Sequence, residues 1–327
     1  MGLNLETKIG KVTLKNPVLV ASGTFGHAKE FDKFINLKKL GGVVTKTITV
    51  KPRLGNPPPR IVETPSGMLN AIGLQNPGVE KFIKDKLPFL KSLGIPIFVS
   101  VMGYSVAEFL EVVQTLESVQ GIDGYELNLS CPNVSYGRGA VTAPMDGPAT
   151  KASAGSAADA VRMFAHDEHM IEEVVGAVRK ITRKTMIAKL GPDVSDIGKM
   201  ALATERAGAD AVSLINTFMA MVIDVKTRKP VLANKTGGLS GPCVRPIAVR
   251  MVWEAHKKVR IPILGIGGIM NGKDALEFLI AGASAIQVGT ANFMNPQASL
   301  EILNDIKHFM KQEKISGLSG IIGSVKG

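Results

Sequence analysis

Residues 124–134 read Gly124-Tyr125-Glu126-Leu127-Asn128-Leu129-Ser130-Cys131-Pro132-Asn133-Val134. Tyr125, Leu127 and Leu129 alternate with Glu126, Asn128 and Ser130, the pattern of a strand with two unlike faces. Pro132 ends it, because proline has no backbone N–H to continue a ladder. Asn128 and Asn133 therefore bracket Cys131 at the C-terminal end of a strand. Amides donate and accept hydrogen bonds at once, which suits a ligand with amide or imide edges. A thiol, with an ordinary pKa of about 8.5, acts as base or nucleophile where its surroundings favour the thiolate. Taken alone, Cys131 fits a buried inert thiol at a turn equally well.

Working outward, the same kind of apolar run recurs on both sides. Pro17-Val-Leu-Val-Ala-Ser-Gly23, Gly42-Val-Val-Thr-Lys-Thr47 and Pro96-Ile-Phe-Val-Ser-Val101 precede it. Thr185-Met-Ile-Ala-Lys-Leu190, Ala211-Val-Ser-Leu-Ile-Asn-Thr217, Ile261-Pro-Ile-Leu-Gly-Ile-Gly-Gly268 and Ala285-Ile-Gln-Val-Gly-Thr290 follow it. Near-continuous apolar runs of this kind are typical of parallel strands. Helices are predicted from Lys29, over 79–93, from Ser105, over 168–181, 195–207 and 244–258, after 268, and from about Pro296. Ser105 and Glu108 make a capping box. Residues 8–15 and 222–234 read as hairpins. Eight strand–helix units in one chain predict an α/β fold, a closed (β/α)8 TIM barrel, as a single domain over 1–327 with an N-terminal β-hairpin. Residues 137–162, rich in small side chains, form a long insertion after the fourth strand, an inserted loop or lid.

Composition agrees with an ordinary globular protein: 45% hydrophobic and 20% charged residues in 327. The net charge of +11 is spread along the chain, with 5% aromatics and no arginine-rich run. That favours a solvated surface, or attraction of anionic ligands and partners, over nucleic acid. Two cysteines, Cys131 and Cys243, are too few for a disulfide framework or a cysteine-ligated cluster. No run of about 18 apolar residues and no basic leader followed by an apolar core is present, so no membrane span and a cytoplasmic location are expected. His166 and His169 lack further ligands at metal-binding spacing, and no metal is expected.

In a barrel of this kind the C-terminal strand ends and the loops after them form the active face. Ser22, Lys46, Cys131, Lys189, Asn216, Gly267, Gly268, Gly289 and Thr290 fall there, with Asn70 in the loop after the second strand. Glycine pairs after the seventh and eighth strands suit a phosphate site, since bare backbone N–H groups approach phosphate oxygens closely. They are also what tight turns require. Lys46 and Lys189 stand in otherwise apolar strands, which points to an anionic ligand.

The ordered set of motifs resembles the class 1B dihydroorotate dehydrogenases, specifically their catalytic subunit. It comprises Asn16-Pro-Val-Leu-Val-Ala-Ser-Gly23, Met68-Leu-Asn-Ala-Ile-Gly-Leu-Gln-Asn-Pro-Gly78, Asn128-Leu-Ser-Cys-Pro-Asn133, Ile215-Asn-Thr217, Gly237-Gly-Leu-Ser-Gly-Pro242, Gly265-Ile-Gly-Gly268 and Val288-Gly-Thr-Ala-Asn292. The resemblance implies an FMN-bearing barrel that oxidises dihydroorotate to orotate in pyrimidine biosynthesis, with Cys131 as the general base. It implies substrate binding by Lys46, Asn70, Gly73, Leu74, Asn128, Asn133, Asn216 and Thr217. It implies FMN binding by Ala21, Ser22, Gly23, Lys46, Thr47, Asn128, Lys189, Ile215, Ser240, Gly241, Gly267, Gly268, Gly289 and Thr290. It further implies a homodimer and an electron-transfer subunit carrying FAD and an iron–sulfur cluster that passes electrons to NAD⁺. The 137–162 segment departs from the family's shorter connection.

Two rival readings differ in what they require. A tRNA-dihydrouridine synthase shares the flavin barrel and a Cys-Pro pair, but needs an RNA-binding helical domain for which the residues after the last strand leave no room. A non-catalytic barrel scaffold has no physical need to keep a thiol, two strand lysines and these amides together.

Overall fold

The computed structural model describes residues 2–130 and 164–326. Cys131, Asn133 and the 137–162 segment lie outside the described residues. Eight parallel strands close into a barrel in chain order: Val18–Val20, Gly42–Val44, Ile97–Val101, Gly124–Asn128, Thr185–Leu190, Ala211–Leu214, Ile263–Ile266 and Ala285–Val288. The eighth pairs back onto the first through Gln287 and Leu19.

The alternation read in the fourth strand is the alternation of the barrel wall. Tyr125 and Leu127 face outward into the layer between strands and helices. Glu126 turns inward and bonds side chains of the sixth and eighth strands across the lumen. Helices cover the outside with apolar stripes. In Glu168–Ile181 the buried residues Ile171, Val174, Val175 and Val178 fall at helical spacing. The Asp167 carboxylate starts that helix by accepting from the His169 and Met170 N–H groups at 2.9 and 3.3 Å. The predicted capping box is present in altered form. Ser105 Oγ accepts from Glu108 N–H, while the Glu108 carboxylate reaches back to Tyr104 N–H rather than to Ser105.

Three local expectations are corrected. The helix predicted from Lys29 is two 3₁₀ turns, Lys29–Phe31 and Leu37–Lys39. The two-residue step between buried Ile35 and Leu37 leaves the helical stripe, and the Asn36 side chain starts a new turn by accepting from Lys38 N–H. The 79–93 helix breaks at Lys86 into Val79–Asp85 and Leu87–Ser92. Pro88 has no N–H for the carbonyl four residues back and is tolerated only in a first turn. The connection after the second strand, expected as a plain loop, carries Ile61–Thr64 and Gly67–Asn70. These join Gly237–Ser240 and Phe218–Ala220 in a four-stranded antiparallel sheet. The hairpin expected over 222–234 is the short pair Ile223–Asp224 and Lys229–Pro230.

The lumen is filled in layers. Leu19, Val44, Phe98, Ile187, Ala211, Leu264 and Ala285 pack together in the lower barrel. The N-terminal hairpin, Thr7–Ile9 with Val12–Leu14, presses Ile9 and Leu14 against them from below. Phe98 is the bulkiest of this set and is fully buried. Phe98→Ala is expected to destabilise the chain by about 3–5 kcal/mol, read as a lower midpoint in equilibrium denaturation. Above this apolar floor comes a polar layer of Ser100, Glu126, Lys189, Ser213 and Gln287, all buried. It separates the floor from the C-terminal mouth.

Candidate active site

The polar layer is organised by the Glu126 carboxylate, which is fully buried. Its Oε2 accepts from Gln287 Nε2 at 2.8 Å and from Ser213 Oγ at 3.2 Å. Its Oε1 lies 3.5 Å from Lys189 Nζ. The Lys189 ammonium in turn donates to Ser22 Oγ at 3.2 Å, across the lumen at the end of the first strand. Glu126 was not among the residues singled out from sequence. Its signal was present, since it shares the inward face with Asn128.

One layer higher, hydroxyls and amides form a continuous chain. Thr47 Oγ1 and Ser100 Oγ are 2.9 Å apart, and Asn128 Nδ2 donates to Thr47 Oγ1 at 3.3 Å. Asn216 Nδ2 donates to Asn128 Oδ1 at 3.2 Å and to the Ser130 carbonyl at 2.9 Å. Asn216 Oδ1 accepts from Thr217 N–H. Ile215, between the sixth strand and Asn216, follows a cis Leu214–Ile215 peptide bond. The second, fourth and sixth strands thus present their amide and hydroxyl groups together at the mouth.

The four-stranded sheet brings Asn70 to the same place. Asn70 pairs in register with Gly238, and its Nδ2 donates to the Gly238 carbonyl at 3.4 Å. A Cβ on Gly238 would lie 2.0 Å from Thr217 Oγ1, so only glycine lets this strand pass beside Thr217. Gly73 and Leu74 follow in a loop held by buried Asn76, whose amide donates to the Leu74 carbonyl at 2.7 Å and to Thr49 Oγ1 at 2.9 Å. Its side-chain oxygen accepts from Gly78 N–H.

Lys46 follows the second strand, and its N–H donates to the Gly26 carbonyl. Burial lowers the pKa of its ammonium from the ordinary lysine value; Glu30 opposes that effect and Arg60 adds to it. The loop it contacts also carries His27, whose N–H donates to the Glu30 carboxylate at 3.0 Å. Burial brings the His27 imidazole from 6.5 down to about 4; Glu30 opposes this, and Lys86 and Lys46 reinforce it. Between those two values the unfolded chain takes up a proton that the folded chain refuses. Stability is therefore expected to fall as pH drops from 6.5 towards 4, by on the order of 3 kcal/mol. His27→Phe should flatten that limb of melting temperature against pH, and an unaltered slope would remove His27 as its source.

The remaining sequence-predicted residues converge on the other side of the mouth. Ser240 Oγ accepts from Thr290 Oγ1 at 2.9 Å. Gly268 has φ +71, and a Cβ there would lie 2.7 Å from the Gly241 carbonyl and 2.8 Å from Arg245 Cβ. The turns carrying Gly241 and Gly268 are thus in van der Waals contact. Gly289 sits beside Ala21 at the ends of the eighth and first strands, with Gly23 two residues on. These turns leave bare backbone where an anion can approach, and Lys189 stands behind them in the lumen. Such a cradle fits a phosphate-bearing cofactor.

A family model described as dihydroorotate dehydrogenase matches residues 4–310. Among curated relatives, the dihydroorotate dehydrogenase B (NAD(+)), catalytic subunit, of Trichlorobacter lovleyi is 47% identical over 323 residues, covering 99% of each chain. The protein of the same name from Thermodesulfovibrio yellowstonii is 49% identical over 322 residues, covering 98% of this chain and 99% of its own. That from Caldicellulosiruptor bescii is 47% identical over 323 residues, with 99% of each covered. No helix among the described residues is long and apolar enough to cross a membrane. A closed barrel with its polar groups gathered at one mouth, matched over nearly its whole length, places this chain among the enzymes of the dihydroorotate dehydrogenase family.

Proposed function

We propose that this chain is the catalytic subunit of an NAD⁺-linked dihydroorotate dehydrogenase, with FMN in the glycine cradle and dihydroorotate against the amides. The observation that carries the reading is the Thr47–Asn128–Asn216 chain at the mouth, with Lys46 next to Thr47 in the chain. Amides that both donate and accept match the alternating N–H and C=O edges of a dihydropyrimidine ring. Lys46 supplies a positive charge for the substrate carboxylate. Asn70, Gly73, Leu74, Asn133 and Thr217 complete the substrate side.

FMN, when bound, supplies the acceptor for the hydride that leaves the substrate. Ser240, Gly241, Gly267, Gly268, Gly289 and Thr290 would hold its phosphate; Ala21, Ser22, Gly23, Thr47, Asn128 and Ile215 would line the ring. Lys189 would set positive charge against the ring, where a neutral side chain offers none. Cys131 removes the proton from the carbon next to the one that gives up hydride.

Electrons must then leave for NAD⁺. The chain has two cysteines, fewer than an iron–sulfur cluster takes. A second subunit carrying FAD and such a cluster therefore belongs to the working enzyme, assembled on a homodimer of this chain, and the words "catalytic subunit" in the relatives' names support that. The test is to purify the chain alone, record its visible spectrum and add dihydroorotate without oxygen. Bleaching of an oxidised flavin spectrum is expected; a flavin that stays oxidised would overturn the substrate assignment.

A further inference from the structure

Glu126 has no part in the reading above, yet it is fully buried, charged and central. Its environment is unusual for a structural core residue. Carboxylates are seldom fully buried without partners, and an isolated buried charge is strongly unfavourable. This one has two neutral donors fixed on two other strands of the wall, Ser213 of the sixth and Gln287 of the eighth. Its free oxygen faces the one cation of the layer, Lys189, at 3.5 Å. Lys189 is itself 4% exposed and donates upward to Ser22 at the cradle's edge.

We propose that Glu126 is a positioning residue that holds the Lys189 ammonium at the cofactor side of the lumen. The proposal rests on the cofactor role of Lys189. A lysine side chain has a flexible four-carbon stem, so an ammonium in an otherwise apolar strand has no fixed place of its own. Glu126 supplies one. Gln287 and Ser213 fix the carboxylate, the carboxylate restrains the ammonium, and Ser22 marks the height at which it emerges. An apolar residue in place of Glu126 would leave Lys189 buried without a counter-charge, which is the costly half of a broken buried pair.

The experiment uses Glu126→Gln, Glu126→Asp and Lys189→Gln. In the cofactor-free chain labelled with nitrogen-15 lysine, the Lys189 ammonium signal is identified by its loss in Lys189→Gln. It is expected to vanish or broaden in Glu126→Gln and to persist in Glu126→Asp, which keeps the charge. In the FMN-loaded chain, Glu126→Gln is expected to raise the FMN dissociation constant about tenfold, the size of one weakened charge-assisted contact. It should also make the flavin midpoint potential more negative, because the cation is no longer held. An unmoved Lys189 signal and an unmoved potential, with only a lower melting temperature, would reduce Glu126 to a structural residue and overturn the proposal. A more positive potential would overturn it too, since Glu126 would then be acting through its own charge. If Glu126→Gln does not fold, Gln287→Leu removes a support of the carboxylate and keeps its charge. It should shift both readouts in the same direction by less, and no shift in either would overturn the proposal. A Lys189→Gln chain with unaltered FMN affinity and potential would refute the cofactor role of Lys189, while the ammonium signal still decides whether Glu126 holds it.

Discussion

Cys131→Ala is expected to lower the turnover of dihydroorotate by on the order of 10²–10⁴-fold, the usual worth of a positioned general base. FMN affinity should be unchanged, because the cradle is assembled from other strands. The separation follows from the geometry. Ser240 with Thr290, and Gly241 with Gly268, meet on the side of the mouth built by the seventh and eighth strands. Cys131 follows Ser130 directly after the fourth strand, whose Asn128 belongs to the amide chain. Single-turnover reduction of the flavin by dihydroorotate isolates the chemical step from substrate binding. A base works only when deprotonated, so the wild-type rate should rise with pH until the thiol is ionised, and that rise should be missing from the alanine variant. Flavin reduction at an undiminished rate in Cys131→Ala would assign the proton to another group.

Gly268→Ala is expected to remove most FMN binding while leaving a folded barrel. The new Cβ would be placed 2.7 Å from the Gly241 carbonyl and 3.0 Å from the Arg245 N–H nitrogen, both backbone atoms with little freedom to yield. The φ of +71 adds strain that glycine escapes. Relief must come from parting the turns after the Gly237–Ser240 strand and after the seventh barrel strand. The two turns that form the cradle would no longer meet. A loss of about 2 kcal/mol in cofactor binding corresponds to a dissociation constant raised roughly thirtyfold. Flavin fluorescence on mixing, together with melting temperature with and without FMN, measures both effects. The three atoms nearest the added Cβ belong to Gly241 and Arg245, so the clash is local to this turn pair and the FMN-free melting temperature should change less than the FMN-bound one.

The barrel was legible in the sequence because a parallel strand buried on both faces must be apolar almost throughout, and such runs recur at regular intervals. The fourth strand was legible in finer detail, since Glu126 and Asn128 could only share a face opposite Tyr125 and Leu127. The Asn76 staple and the four-stranded sheet were not. Residues 67–70 find their partners at 237–240, far along the chain, and nothing local in either segment announces the other. The sheet decides where Asn70 stands, so this placement came only from tertiary structure. The two 3₁₀ turns after the first strand were missed for a different reason: their apolar residues look helical until the step at Ile35 and Leu37 is counted. Among the candidate residues, the positions of Lys46, Asn128, Asn216 and the glycine turns at the strand ends were legible from the strand pattern. Glu126 was passed over because an acidic residue in an alternating strand ordinarily marks the solvent face, and in a barrel the opposite face is the lumen.

The plug of Ile9 and Leu14 beneath the barrel also governs traffic. Among the described residues the floor between the polar layer and that end is mainly apolar, Phe98 and Leu264 among its side chains, and the buried Thr185 hydroxyl in it is taken up by the Ile9 carbonyl and the Lys11 N–H of the hairpin. One hydroxyl held by backbone is not a chain along which a proton could hop. A proton taken from the substrate, on the reading proposed above, would therefore leave at the C-terminal mouth, the end at which the amides and the glycine turns meet.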